Sequence, residues 1–117
     1  MGVRYLSVSE MGLRYPEFLE PNIEEIKSDR KKWAQYQAYV THLLFAYDEL
    51  FTVLDAPEWD ATFKQDVSDH IEYFCNHMDI KEAMMQYFPK LKAKLRAVVL
   101  QRPDSSCPNR HAWLSLG

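Results

Sequence analysis

The chain reads WAQYQAYVTHLLFAYDELFTVL from Trp33 to Leu54, and within these 22 residues only Asp48 and Glu49 are charged. Apolar and aromatic residues recur at spacings of three and four, which is the period of one helix face. The opposite side carries no charge either, and a helix that is apolar over most of its girth is buried by neighbours on several sides. The stretch therefore predicts one long central helix over roughly residues 30–54.

Shorter helical patterns flank this central helix, and none of the sequence shows the two-residue alternation of a strand. Asp29, Asp55 and Asp79 stand just before helical patterns and are predicted to cap their N-termini. We therefore expect an all-α fold with about five helices packed as an irregular bundle around the central one. The flanking helices are predicted over residues 3–14, 23–27, 57–77, 80–87 and 89–101.

The length and composition indicate one globular domain. A chain of 117 residues with 47% hydrophobic content can bury a core of its own. We place a single helical domain at residues 1–102. Residues 103–117 contain prolines, serines and a glycine and predict an irregular C-terminal tail, from which Trp113 and Leu114 are candidates to dock on the body.

Charge is spread unevenly along the chain. The net charge of −3 argues against a nucleic-acid partner. Residues 55–79 hold seven acids and one Lys, whereas residues 80–117 hold seven bases and two acids, so the two segments are expected to pack side by side. In the last helix the basic residues alternate with leucines. This pattern most often belongs to a solvated amphipathic helix, and less often to a surface that binds lipid, phosphate or an acidic partner. These basic residues are Lys90, Lys92, Lys94 and Arg96.

The two cysteines do not form the framework of a disulfide-rich domain. We interpret Cys75 and Cys107 as free thiols in a reducing compartment, because cytosolic disulfides are scarce. The sequence shows neither a secretory signal nor an apolar run long enough for a membrane span. We therefore expect a cytoplasmic protein, or one at the cytoplasmic face of a membrane if the chain has been separated from an anchor.

Candidate chemistry is sparse. Asp66 and His70 lie four apart on one helix face and form a weak candidate pair for a metal ion, although a hydrogen-bonded core histidine is the favoured interpretation. Glu49 is a candidate buried acid, although the favoured interpretation is that one of Asp48 and Glu49 faces solvent and the other is paired with an Arg, a Lys or a tyrosine hydroxyl. The sequence shows no catalytic constellation and no motif for a cofactor, so we predict neither a cofactor nor an enzyme.

Four aromatic residues lie on or beside one side of the central helix. We rank three interpretations of these residues: they form part of the core, a dimer seam, or a pocket for an apolar ligand, in that order of preference. The set comprises Trp33, Tyr36, Tyr39 and Tyr47.

Aromatic motifs run along much of the chain: Tyr15-Pro16-Glu17-Phe18, Trp33, Tyr36-x-x-Tyr39-Val40, Tyr47-Asp48-Glu49, Pro57-Glu58-Trp59 and Tyr87. Over about residues 5–100, these motifs resemble those of small uncharacterised bacterial all-helical proteins. In that group the helical region often follows a single N-terminal membrane helix, which this sequence lacks. The resemblance implies a helical domain of unknown function, and membrane association only where such an anchor has been removed.

Two functional hypotheses follow from these observations. The first is a non-enzymatic interaction or scaffold domain that self-associates, as a dimer, through the aromatic side of the central helix or binds another protein. The alternative is a small helical binding module for an apolar ligand or a metal ion.

Overall fold

The computed structural model describes residues 14–102 and 106–116, and all regular structure in these ranges is helical. The predicted all-α fold is therefore confirmed, while the predicted helix over residues 3–14 lies almost wholly outside the described residues. The chain divides into two compact units, Met1–Ala56 and Pro57–Gly117. The boundary between the units falls within the region predicted as one domain.

The first unit is organised by the central helix. Helix α1 spans Ile23–Lys27 and packs against α2, which spans Arg30–Asp48. The predicted cap is confirmed, because the Asp29 carboxylate accepts hydrogen bonds from the backbone N–H groups of Lys31 and Lys32 at 3.0 and 3.2 Å. A π-helical turn over Glu49–Val53 continues α2, so the helix predicted over 30–54 has the expected extent.

Asp55 ends this long helix and does not begin the next one. Its φ of 48° lies in the left-handed region, which Asp tolerates better than most residues and which commonly closes a helix. The backbone N–H of Ala56 then donates to the carbonyl oxygen of Leu50 at 3.0 Å. The N-cap of the next α-helix, Asp60–Asp69, is Trp59, so Asp55 does not cap that helix as predicted.

The second unit begins with a helix that was predicted to run unbroken over residues 57–77. The structure instead has a 3-10 turn at Pro57–Trp59, α3 at Asp60–Asp69 and α4 at Ile71–Asn76. The break lies at His70, whose φ of −112° and ψ of 18° are not helical. The pattern of apolar residues continues through this break, which is why the sequence did not reveal it.

Two further helices complete the body of this unit. Helix α5 spans Ile80–Met84 and is capped as predicted, with the Asp79 carboxylate accepting from the Glu82 N–H at 3.3 Å. Helix α6 spans Pro89–Val99 and packs against α3 and α4. The expected pairing of acidic and basic segments is thus confirmed.

The C-terminal segment is not irregular throughout, because Arg110–Leu114 form helix α7. Trp113 is fully buried, and its indole N–H donates to the Phe74 carbonyl oxygen at 3.2 Å. Cys75 of α4 and Cys107 are joined as a disulfide. The prediction of free thiols is therefore wrong: 32 residues separate the two cysteines in sequence, and the spacing alone gave no sign of their proximity.

Candidate ligand-binding site

The aromatic residues of the central helix lie mostly in the core of the first unit. Tyr36 and Tyr47 have no exposed surface, and Tyr39 is 4% exposed. Trp33 is half-buried, and its ring stacks on that of Tyr36 at a centroid distance of 5.9 Å. This arrangement leaves only the Trp33 ring with appreciable surface for a ligand or a second chain.

The acidic pair in the same helix consists of one buried and one half-buried residue. Glu49 is only half-buried, whereas Asp48 is buried and is 6% exposed. The hydroxyl of Thr52, one turn later, donates to the Asp48 carboxylate at 3.3 Å. Such bonding offsets the cost of burying the acid, so Asp48 has the ordinary partner of a structural residue.

Asp66 and His70 remain a pair without the further ligands that a metal ion needs. His70 is buried at the junction of α3 and α4, and desolvation lowers its pKa from 6.5 to about 4, against a smaller opposing effect of the Asp69 charge. Asp66 is half-buried. Within residues 14–102 and 106–116, no third His, Cys, Asp or Glu joins this pair in a ligand group. The geometry therefore favours a core histidine.

A concave site of about 540 Å³ lies elsewhere in the second unit. We call it the α5–α6 groove. The first wall comes from α5 and the residue after it, where Lys81, Met84 and Met85 follow the i, i+3, i+4 spacing that places side chains on one helix face. Met84 is buried, whereas Met85 is 79% exposed.

The opposite wall of the α5–α6 groove is one stripe of α6. Its four lining residues fall at i, i+3, i+4 and i+7, so they share a single helix face. The C-terminal segment supplies Leu116, which is 37% exposed. The four residues of the α6 stripe are Pro89, Lys92, Ala93 and Arg96.

The cations of the α5–α6 groove differ in how they are held. Arg96 Nε donates to the Trp113 carbonyl oxygen at 2.9 Å and its Nη2 to that of Leu114 at 3.4 Å, so α6 and the C-terminal segment position the guanidinium. Within the part of the chain that the structure describes, Lys81 and Lys92 make no ion pair. Lys94 does not line the groove, and its ammonium group lies 2.8 Å from the Asp60 carboxylate.

Sequence reasoning found part of this site. The alternation of basic residues with leucines in residues 90–96 marked α6 as an amphipathic basic helix. The contributions of Met84, Met85 and Leu116 were missed, because they depend on how α5 and the C-terminal segment pack against α6. No signal in the local sequence reports those tertiary contacts.

No known protein family, curated protein or solved structure matches this chain. The resemblance to small bacterial helical proteins therefore stays a prediction. None of the helices in residues 14–102 and 106–116 has the length and apolar character needed to cross a membrane.

Proposed function

We propose that this protein is a non-enzymatic helical binding module that holds an apolar ligand in the α5–α6 groove. The observation that carries the proposal is a groove of about 540 Å³ whose lining includes methionine, alanine and leucine side chains. This volume falls within the range of about 300–1,000 Å³ found for small-molecule sites, which are mostly apolar with a few polar groups. The groove therefore has the size and chemistry of a binding site.

A binding role is favoured over a catalytic one by the residues of the groove. Among its described lining residues, Lys81 and Lys92 are the only ones of a type that acts as a nucleophile or general base, and no His, Cys, Ser, Asp or Glu lines the groove beside them. The methionines suit a binding site, because their flexible side chains adapt to ligands of different shape.

The predicted dimer seam on the central helix has less support. Tyr36, Tyr39 and Tyr47 are buried within the chain itself, so a partner would have little of their aromatic surface to contact. Self-association and protein partners accordingly stay predictions, and a binding module is the function that the geometry favours.

The disulfide supports an oxidising compartment in place of the predicted cytoplasmic one, since persistent disulfides are rare in reducing compartments. Mass measurement of protein alkylated at the moment of cell lysis tests this point. We expect Cys75 and Cys107 to escape alkylation, whereas two alkyl groups per chain would contradict an oxidising compartment.

A groove-filling substitution tests the proposed function. Ala93 is exposed on the wall of the groove, so Ala93→Trp should fill the groove without disturbing the core. We expect N-phenyl-1-naphthylamine, an uncharged apolar dye, to bind the wild-type protein with a rise in fluorescence, and Ala93→Trp to weaken this binding by about tenfold or more. A loss of about 1.4 kcal/mol of binding free energy corresponds to that factor.

The matched control is Ala38→Trp, which places the same ring at an exposed position of α2 that does not line the groove. This variant should bind the dye as the wild-type protein does. Absence of dye binding to the wild-type protein, or equal binding by both variants and the wild-type protein, would contradict the proposed site.

A further inference from the structure

We infer that the α5–α6 groove takes a single-chain amphiphile with an anionic head group, a carboxylate or a phosphate. This inference rests on the proposed function and adds the chemical class of the ligand. Three cationic side chains and no acidic side chain line the groove among the described residues. The chain as a whole has a net charge of −3, so this concentration of positive charge is local.

The positions of the cations suit one compact anion. Lys92 and Arg96 lie four residues apart on α6 and share a helix face, and Lys81 lies on the wall that α5 contributes. An anionic head group in the groove would therefore meet ammonium or guanidinium groups from both walls. Charge-assisted hydrogen bonds of this kind are about twice as strong as those between neutral groups.

Arg96 is held in place before any ligand arrives. Two of its five N–H groups donate to the carbonyl oxygens of Trp113 and Leu114, which leaves three without a partner among the described residues. A side chain that is already ordered loses less conformational entropy when a ligand binds. The two carbonyl bonds thus orient the guanidinium and leave donors for an anion.

The apolar part of the groove accounts for the tail of the ligand. Ala93 and Leu116 offer exposed hydrocarbon surface in the groove, and Met85 is the most exposed large apolar side chain among the described residues. A ligand whose tail covers this surface removes it from water, which favours binding in proportion to the area covered. A small hydrophilic anion would leave it exposed.

A free amphiphile fits these observations better than a membrane surface does. A membrane-binding helix usually carries a row of Lys and Arg residues on its polar face, where they meet the lipid head groups. In α6 this row is interrupted, because Lys94 is paired with Asp60 at 2.8 Å, away from the groove. Lys81, Lys92 and Arg96 instead line a concavity, which suits one hydrocarbon chain.

Calorimetric titration with four probes tests the inference on the full chain. The probes are dodecanoate, dodecyl phosphate, 1-dodecanol and inorganic phosphate. We expect both anionic amphiphiles to bind about tenfold more tightly than 1-dodecanol, and inorganic phosphate to bind more weakly than either of them. The preference for the anionic probes should shrink as salt is added, because ions screen exposed charge pairs.

The variant Lys81→Gln/Lys92→Gln removes two of the cations and keeps the length of the side chains. We expect it to weaken dodecanoate binding by about tenfold, since each exposed ion pair contributes a factor of up to about five. Binding of 1-dodecanol should stay unchanged. The control Lys27→Gln/Lys64→Gln makes the same change of net charge at exposed positions outside the groove and should leave both affinities unaltered.

The outcomes separate the inference from the function on which it rests. Equal affinity for dodecanoate and 1-dodecanol, with the dye still bound in the groove, would overturn the anionic head group and leave the proposed function intact. Absence of binding by the dye and by all four probes would overturn both. If the protein sediments with phosphatidylglycerol vesicles and binds no free amphiphile, the inference of a free ligand is overturned in favour of a membrane surface.

Discussion

His70 shows how the environment of one residue sets its chemistry. The side chain is 2% exposed, and burial lowers its pKa from 6.5 to about 4. The unfolded chain therefore binds a proton between these two pH values, whereas the folded chain does not. The contribution of this group to stability is present in full above about pH 6.5 and is lost as the pH falls towards 4.

The pH dependence gives the first prediction at this scale. Between pH 7 and pH 4.5 we expect His70 to reduce the free energy of unfolding by about 2 kcal/mol. His70→Gln should lose this part of the pH dependence in urea titrations, whereas His42→Gln, at an exposed position, should retain it. Parallel pH profiles for the wild-type protein and His70→Gln would contradict the assignment.

Individual residues were predicted with uneven success, for physical reasons. The sequence favoured a core position for His70 because Phe63, Val67 and Phe74 project around it on the predicted helix. It selected Glu49 as the candidate buried acid, but the structure buries Asp48 and leaves Glu49 half-buried. The side chains of adjacent residues point in directions about 100° apart around a helix. An error in predicting which side of the helix faces the core therefore exchanges their environments.

The C-terminal segment is the element whose structure departs most from expectation. Its composition predicted irregular coil, yet it holds α7 and the fully buried Trp113. The side chain of Arg110 donates to the carbonyl oxygens of Leu100 and Arg102, both at 2.9 Å. These bonds join residues ten and eight positions apart, which is more than two helical turns, so local propensity did not predict them.

The disulfide provides a prediction at the scale of elements, because it fastens this segment to α4. Cys75→Ala/Cys107→Ala opens a loop of 32 residues, and the loss of that constraint on the unfolded chain should cost about 3–4 kcal/mol. Thermal unfolding of the variant is the measurement. A reducing agent should lower the midpoint of the wild-type protein towards that of the variant and leave the variant unchanged. Equal midpoints for the oxidised wild-type protein and the variant would contradict a stabilising disulfide.

The helices themselves were largely predictable. Their apolar periodicity located α2 and α6, and the acids at positions 29 and 79 marked two of the N-termini correctly. The break in the helix at His70 was missed because the apolar residues before and after it keep the spacing of one continuous helix. Asp55 was misassigned because Asp is favoured at N-caps and also tolerated in the left-handed conformation that ends a helix.

At the scale of the whole molecule, the sequence predicted fold class better than function. Composition and periodicity are properties of the entire chain and are sufficient to indicate an all-α protein. The division after Ala56 and the α5–α6 groove depend on contacts between segments that lie far apart in sequence. The groove joins Lys81 on one helix to Leu116 near the C-terminus, and no short motif encodes that proximity.

The central claim is that the α5–α6 groove is where this protein binds its ligand. The most direct measurement follows backbone amide chemical shifts by nuclear magnetic resonance as dodecanoate is added to the wild-type protein. We predict saturable shifts centred on Met84, Met85, Ala93, Arg96 and Leu116. Shifts centred instead on the aromatic residues Trp33 and Tyr36 of the central helix, or the absence of saturable shifts, would contradict the claim.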